Sequence, residues 1–117
     1  RLAFPHLRQS GSGRVIDIIS LSGKRVKGNW VGYSMSKYAA LAASRTAHVQ
    51  GWEDGVRVTA ICPGFVQSDM TAESASFFPQ EKMSRPQDIA EMVSSLLKLA
   101  NESAVPEVMM NCVMEPY

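Results

Sequence analysis

The sequence has few of the residues that build metal sites. Its 117 residues include two cysteines and two histidines. Cys62 and Cys112 each lie inside an apolar segment and form no C-x-x-C pair, while His6 and His48 have no partner at a metal-ligand spacing. We therefore expect no metal site, and we expect both cysteines to be buried free thiols of a protein in a reducing compartment.

The sequence also lacks a long apolar run and an excess of one charge. No stretch approaches the roughly 18 apolar residues of a membrane-spanning helix, and the first residues, RLAFPHLRQ, have none of the features of a signal peptide. The formal net charge is +1, which favours neither nucleic acid nor an anionic membrane as a partner. These observations predict a soluble, cytoplasmic protein.

One short basic run, Lys24, Arg25 and Lys27, lies in a glycine-bounded loop. We expect these side chains to be solvated. Nucleic-acid binding through them is an alternative, but it has little support without an aromatic platform beside the run.

The chain does contain a regular alternation of apolar strands and helices. The runs predicted to be strands are residues 14–20, 56–62 and 107–113. The segments predicted to be helices are residues 32–50 and 86–100, and residues 1–10 resemble the last turns of another helix. Pro86 suits the first position of its helix. Strands and helices in this order imply an α/β fold with a parallel sheet and right-handed crossovers.

Three strands are few for a complete parallel sheet. Both faces of such a sheet need cover, and both outer strands are left as edges. The first predicted strand is as apolar as a central strand. We therefore expect residues 1–117 to form half of a doubly wound parallel sheet.

The stretch VGYSMSKYAAL, residues 31–41, places Tyr33 and Lys37 four positions apart. In a helix this spacing brings both side chains to one face, about one turn apart. A neighbouring ammonium favours the phenolate form of a phenol and brings it closer to the range of efficient general acid–base catalysis. The pair alone is weak evidence, because tyrosine and lysine at this spacing also occur on ordinary packing helices.

Polar residues also follow the first two predicted strands. Ligands of open parallel α/β sheets bind outside the carboxyl ends of the strands, so Ser20 and Tyr33 are expected to meet across one cleft. Ser20 could donate a hydrogen bond to a substrate oxygen, or it could only end its strand and bond a neighbouring amide. After the second strand, the backbone of the Pro63-Gly64 turn could approach a ligand closely, and Ser68 could bind a polar ligand group.

Three segments in this order resemble the short-chain dehydrogenase/reductase family: Ser20, then YSMSK at 33–37, then PGFVQS at 63–68. The similarity extends from about residue 13 to residue 112 and includes RPQDIAEMV, which resembles the late helix of that family. It implies a Rossmann-like fold and hydride transfer between a nicotinamide cofactor, NAD or NADP, and an alcohol or carbonyl substrate. It also implies a homo-oligomer that packs through the helix carrying Tyr33.

By position, the resemblance implies a role for seven residues. Tyr33 is the acid/base that protonates the carbonyl oxygen in reduction. Lys37 favours the phenolate of Tyr33 and holds the nicotinamide ribose, and Ser20 orients and polarises the carbonyl. The residues expected to flank the nicotinamide are Pro63, Gly64, Val66 and Ser68.

The chain departs from the family pattern near its two ends. It has no glycine-rich turn between a first strand and a first helix, because the glycines at 11 and 13 precede a strand rather than follow one. The residue that selects NAD or NADP and the asparagine of the family's proton relay are absent too, and the last segment reads NCVMEPY rather than a glycine-rich turn. Residues 1–117 are therefore expected to be the catalytic half of a single domain. The alternative is an inactive fragment that serves as an assembly module.

The sequence predicts an irregular segment over residues 63–83. Within it, residues 71–83 are a candidate lid over an apolar substrate, because they include Phe77 and Phe78. Ordinary packing of the two phenylalanines is the alternative.

Overall fold

Three parallel strands form the sheet that carries the rest of the structure. In the computed structural model, which describes residues 2–73 and 78–114, the strands lie in the order β1-β2-β3. Their bounds are Arg14–Ile18 for β1, Arg57–Pro63 for β2 and Glu107–Met110 for β3. The predicted parallel arrangement is confirmed. Strands β1 and β3 end two and three residues earlier than the apolar runs predict.

Strand β2 is central and almost completely buried. Every side chain from Val58 to Cys62 is at most 3% exposed. An apolar run of this kind is what a parallel strand covered on both faces requires. The polar member of the run, Thr59, donates its hydroxyl hydrogen to the carbonyl oxygen of Val105 at 2.6 Å. The buried hydroxyl of Thr59 therefore has the hydrogen-bond partner that a buried polar group needs.

Strand β1 is an edge strand within the described residues. It pairs with β2 alone there. Its side chains from Arg14 to Asp17 are half-buried, and Ile18 is 51% exposed. An apolar strand at an edge is unusual for a complete sheet. It agrees with the expectation that residues 1–117 form half of a doubly wound parallel sheet.

The described residues include four α-helices, Phe4–Gln9 (α1), Val31–Gly51 (α2), Asp69–Ala72 (α3) and Pro86–Leu97 (α4). Helix α2 packs on the central strand, because Leu41 joins Ala60 and Cys62 of β2 in the buried core. Helix α4 begins at Pro86 as predicted but ends before residue 100. Leu97 is 53% exposed, whereas Leu96 is buried. None of these helices is long and apolar enough to cross a membrane.

The described parts of the segment between β2 and α4 contain more regular secondary structure than the sequence predicts. They contain α3 and a 3₁₀ turn over Gln80–Lys82. The amide of Ser84 donates to the carbonyl oxygen of Phe65, and the amide of Gln67 donates to that of Ser84, both at 3.0 Å. The segment therefore folds back beside the carboxyl end of β2. Phe77, one of the two phenylalanines of the candidate lid, lies outside the described residues.

A carboxylate on β3 joins three parts of the fold. Glu107 accepts hydrogen bonds from Nε of Arg45 on α2, at 2.6 Å, and from the ammonium of Lys24 on the loop after β1. Burial by itself raises the pKa of this carboxyl, but the hydrogen bonds from Lys24 and Arg45 outweigh it and hold the pKa of Glu107 below its usual range. The expectation that Lys24 is solvated is wrong, since its side chain is 21% exposed.

Glu107→Gln should lower the free energy of unfolding by about 1–3 kcal/mol at pH 7, mainly because it leaves the partly buried ammonium of Lys24 without its carboxylate. Arg45 contributes less, because its side chain is 58% exposed and its ion pair is screened by solvent. The folded-state pKa is depressed, so the contribution of the carboxylate is fully present above the ordinary glutamate pKa of about 4.3. It is lost as the pH falls through the folded-state value. Urea unfolding of both proteins at pH 7 and at about pH 3 measures the difference.

The matched control is Asp88→Asn, which removes a carboxylate from an exposed pair with Arg85. This variant should cost less at pH 7, because exposed ion pairs are screened by solvent. A difference between the native protein and Glu107→Gln that stays constant from neutral to acid pH would contradict the assignment.

Candidate active site

A cavity opens at the carboxyl ends of β1 and β2, beside the first turns of α2. Its volume is about 460 Å³. Its walls come from the loop after β1, the start of α2 and the segment after β2. The seven residues singled out from the sequence all line it, namely Ser20, Tyr33, Lys37, Pro63, Gly64, Val66 and Ser68. The structure thus brings them to the edge where this topology places ligands.

Tyr33 and Lys37 lie on one face of α2, as their spacing predicts. The Nζ atom of Lys37 is 5.7 Å from the centroid of the Tyr33 ring, a cation–π distance. Tyr33 is in the first turn of the helix, where the amide of Ser34 donates to the carbonyl oxygen of Trp30 at 2.9 Å. The tyrosine ring is 39% exposed. The cavity wall therefore carries a phenol and a cation side by side.

Ser20 follows β1 and caps the next turn, and its hydroxyl still has a hydrogen to donate. Its Oγ accepts a hydrogen bond from the amide of Ser22 at 3.0 Å and so caps the 3₁₀ turn Leu21–Gly23. The hydrogen bond to a neighbouring amide, the alternative role expected for Ser20, is therefore present. A hydroxyl has one hydrogen and two lone pairs, so accepting from Ser22 leaves the hydrogen for another partner in the cavity. The two interpretations of Ser20 are compatible.

The loop that carries Ser20 packs directly on the backbone of α2. A Cβ atom on Gly23 would lie 2.8 Å from the carbonyl oxygen of Lys37, a distance that side chains do not tolerate. A glycine is therefore needed at this contact. The approach holds Ser20 against the part of α2 that carries Tyr33 and Lys37.

The turn after β2 is held by the segment that follows β3. The amide of Gly64 donates to the carbonyl oxygen of Met110 at 2.8 Å. A Cβ atom on Gly64 would lie 2.2 Å from Oδ1 of Asn111. The missing side chain makes room for Asn111, so this glycine has a structural role. Close approach of its backbone to a ligand stays a prediction.

Hydrogen bonds also fix the next part of this wall. The amide of Ser68 donates to Oγ1 of Thr71 at 3.1 Å, and that hydroxyl donates to the carbonyl oxygen of Val66 at 2.7 Å. The Ser68 side chain is exposed at the start of α3. Val66 and Ser68 thus belong to one braced turn.

The sequence reasoning missed several residues of the cavity wall. Arg25 and Lys27 line the cavity together with Trp30 and Phe65. Arg25 is half-buried, which corrects the expectation that it is simply solvated, whereas Lys27 is exposed, as expected. One signal was present in the sequence: the loop that contains them begins at Ser20 and ends just before Tyr33. The ring of Phe78 stacks on that of Phe65 at a centroid distance of 4.2 Å, which favours packing over a lid role for Phe78.

This arrangement agrees with the comparisons with known proteins. Residues 1–77 match the family model for short chain dehydrogenase. The chain belongs to the short-chain dehydrogenase family. It is 40% identical over 114 residues to agropine synthesis reductase of Rhizobium rhizogenes, and the match covers 97% of this chain and 26% of that protein.

Solved structures confirm the Rossmann-like fold expected from the resemblance. One is 4-hydroxyisoleucine dehydrogenase complexed with NADH, with a TM-score of 0.82 and 20% identity over 95% of this chain and 51% of that one. Another is ElxO with NADP bound, with a TM-score of 0.79 and 19% identity over 93% of this chain and 49% of that one. The chain thus spans about a quarter of the reductase and about half of each structure.

The residues of the cavity fit the nicotinamide end of the cofactor that short-chain dehydrogenases imply. They offer a phenol, an ammonium and a hydroxyl beside a braced turn. Phosphate groups are usually held by a glycine-rich turn at the amino end of a helix. The glycines at 11 and 13 lie at the opposite end of β1 from Ser20, where the carbonyl oxygen of Gly13 accepts from the amide of Arg57 at 2.8 Å. As expected from the sequence, they are no part of the cavity.

Cys62 lies one residue before the Pro63-Gly64 turn and is fully buried. Burial raises the pKa of its thiol, and a backbone hydrogen bond from Ser20 offsets this only in part. The thiol is therefore protonated at neutral pH, and a protonated thiol is a poor nucleophile. Both cysteines are buried and unpaired, as expected.

Cys62 should be inert to iodoacetamide in the folded protein, because burial keeps its thiol protonated and out of reach. The matched control is Ser94→Cys, which places a thiol on the exposed face of α4. We expect the new thiol to react at least about 100-fold faster than Cys62 at pH 7.5, as measured by peptide mass spectrometry. Rapid alkylation of Cys62 without unfolding would contradict its placement.

Proposed function

We propose that these 117 residues form the catalytic half of a single Rossmann-type domain in an oxidoreductase. The enzyme would transfer a hydride between NAD or NADP and an alcohol or carbonyl substrate. One observation carries the proposal: Ser20, Tyr33 and Lys37 meet in one cavity at the carboxyl edge of a short-chain dehydrogenase sheet. The cofactors named in two similar structures, NADH and NADP, support it.

Tyr33 moves the proton in this mechanism. Its hydroxyl donates a proton to the carbonyl oxygen during reduction and takes the proton back during oxidation. The ammonium of Lys37, 5.7 Å from the centroid of the ring, stabilises the negative charge that the proton leaves behind. A bound nicotinamide cofactor supplies or accepts the hydride.

Ser20 orients the substrate. Its Oγ is fixed by the hydrogen bond from the Ser22 amide, so its own hydrogen can point to the substrate oxygen. A donor aimed at an oxygen that gains negative charge stabilises the transition state more than the ground state. Ser20 therefore contributes mainly to turnover.

The same cavity would hold the nicotinamide end of the cofactor. Lys37 would bind the ribose hydroxyls, and the wall beside the nicotinamide would come from Pro63, Gly64, Val66 and Ser68, which line the cavity. The hydrogen bonds of Met110 and Thr71 to this wall support the role, because a rigid wall orients a bound group at little entropic cost.

Helix α2 also offers a surface for a second copy of the protein. Met35 and Tyr38 are 67% and 43% exposed and lie on a different side of the helix from Tyr33. Association through this side would give a homo-oligomer. The two buried thiols suit the reducing cytoplasm.

The same surface on α2 favours a second candidate function, that of an inactive fragment serving as an assembly module.

Tyr33→Phe should lower kcat by about 10²–10⁴-fold, the usual worth of a positioned acid–base group. The ring remains, so folding and cofactor affinity should change little. Thr46→Val is the control, because it removes an exposed hydroxyl from the same helix outside the cavity. Steady-state kinetics of the native protein and both variants, with thermal unfolding as a check on folding, give the comparison.

Near-normal turnover by Tyr33→Phe would overturn the catalytic role of the tyrosine. A native protein that assembles but reduces no carbonyl and oxidises no alcohol with either NAD or NADP would favour the assembly module.

A further inference from the structure

We propose that the cavity takes a substrate bearing an oxyanionic group, a carboxylate or a phosphate ester, which Arg25 and Lys27 bind. The inference rests on the proposed function and names the substrate class of that site. The two cations lie on the loop that leaves Ser20 and returns to α2 at Trp30. Their position in the chain places them between the two groups that would hold the reacting oxygen.

The base of this loop is fixed, so its cations are held near the site. The amide of Arg25 donates to the carbonyl oxygen of Leu21 at 3.0 Å. The neighbouring Lys24 is paired with Glu107 on β3. Arg25 itself is half-buried in the wall of the cavity. Its planar guanidinium suits two-pronged contact with a carboxylate or phosphate.

Among the described residues that line the cavity, the charged side chains are of one sign. Its described lining includes Arg25, Lys27 and Lys37 and has no aspartate or glutamate. Lys37 has a role beside Tyr33 and the ribose, which leaves two cations that the proposed hydride chemistry does not use. Like charges gathered in a cleft with apolar walls raise the local concentration of anions and strengthen their binding.

Lys27 is held against the cavity by aromatic rings. Its Nζ atom lies 5.8 Å from the centroid of Phe65 and 5.4 Å from that of Phe78, both cation–π distances. Trp30 meets Phe65 edge-on at 6.2 Å. Two of these rings, Trp30 and Phe65, line the cavity. The substrate is thus expected to have an apolar part beside its anionic group.

The test compares ligands that differ in charge. The probes are 4-oxopentanoate, its neutral methyl ester and (3-oxobutyl)phosphonate, which share one methyl ketone. Isothermal titration calorimetry of the native protein should show both anions binding at least about tenfold more tightly than the ester, because charge-assisted hydrogen bonds are stronger than those to a neutral acceptor. The tighter of the two anions identifies the oxyanion. Equal binding of acid and ester, or no binding of either anion, would overturn the proposal.

Variants locate the site. Arg25→Gln combined with Lys27→Gln should remove the preference for the anions and leave the affinity for the ester within about twofold. Lys98→Gln, which removes a cation outside the cavity, should keep the preference. If the double variant raises the KM of the cofactor while the ratio of acid to ester is unchanged, the two cations serve the cofactor phosphates and the inference is wrong.

The test of the anion site can be distinguished from the test of the proposed hydride transfer. Tyr33→Phe should keep the binding preference for anions while turnover falls. Loss of the preference in Arg25→Gln/Lys27→Gln with turnover of the ester retained identifies an anion site in a working enzyme. Equal turnover of acid and ester by the native protein, with equal KM, would contradict the anion site and leave the hydride chemistry standing.

Discussion

The contact between Gly23 and the carbonyl oxygen of Lys37 fixes the geometry on which the site depends. It presses the loop after β1 against the backbone of α2 and so sets the position of Ser20 relative to Tyr33 without a direct bond between them. Any larger residue at position 23 would push loop and helix apart. Misplacement of a reacting group by about 1 Å can cost on the order of 100-fold in rate, so the absence of a side chain here matters as much as the groups that line the cavity.

The parts of the structure that follow from local patterns could be predicted from the sequence. The four-residue spacing of Tyr33 and Lys37 is a property of a single helix, and the strands follow from runs of apolar residues that need burial on both faces. The ends of the strands were predicted less accurately, because they depend on pairing with the neighbouring strand. The amide of Ile19 still bonds the carbonyl oxygen of Ile61 at 2.8 Å, but Ser20 leaves the ladder to cap the 3₁₀ turn.

Contacts between distant segments could not be predicted from one sequence. Lys24 and Glu107 are 83 residues apart, and nothing in either local pattern marks them as partners. For the same reason, the local sequence around Lys24, Arg25 and Lys27 gives no sign of their contacts with distant segments and resembles an ordinary solvated loop. The path of the loop across the carboxyl edge of the sheet is what brings Arg25 and Lys27 to the wall of the cavity. The composition of the sequence gives the charge of Arg25 and Lys27, but only the fold determines which groups lie near that charge.

The two tryptophans lie in different surroundings, and this gives the protein two separate optical labels. Trp30 meets the ring of Phe65 at the cavity, whereas Trp52 stands beside the guanidinium of Arg57 at 4.1 Å, near the amino end of β2. A molecule that enters the cavity changes the solvent around the first indole and leaves the second in place. In a Trp52→Phe background the emission of the protein therefore comes, for this chain, from a single ring at the mouth of the site.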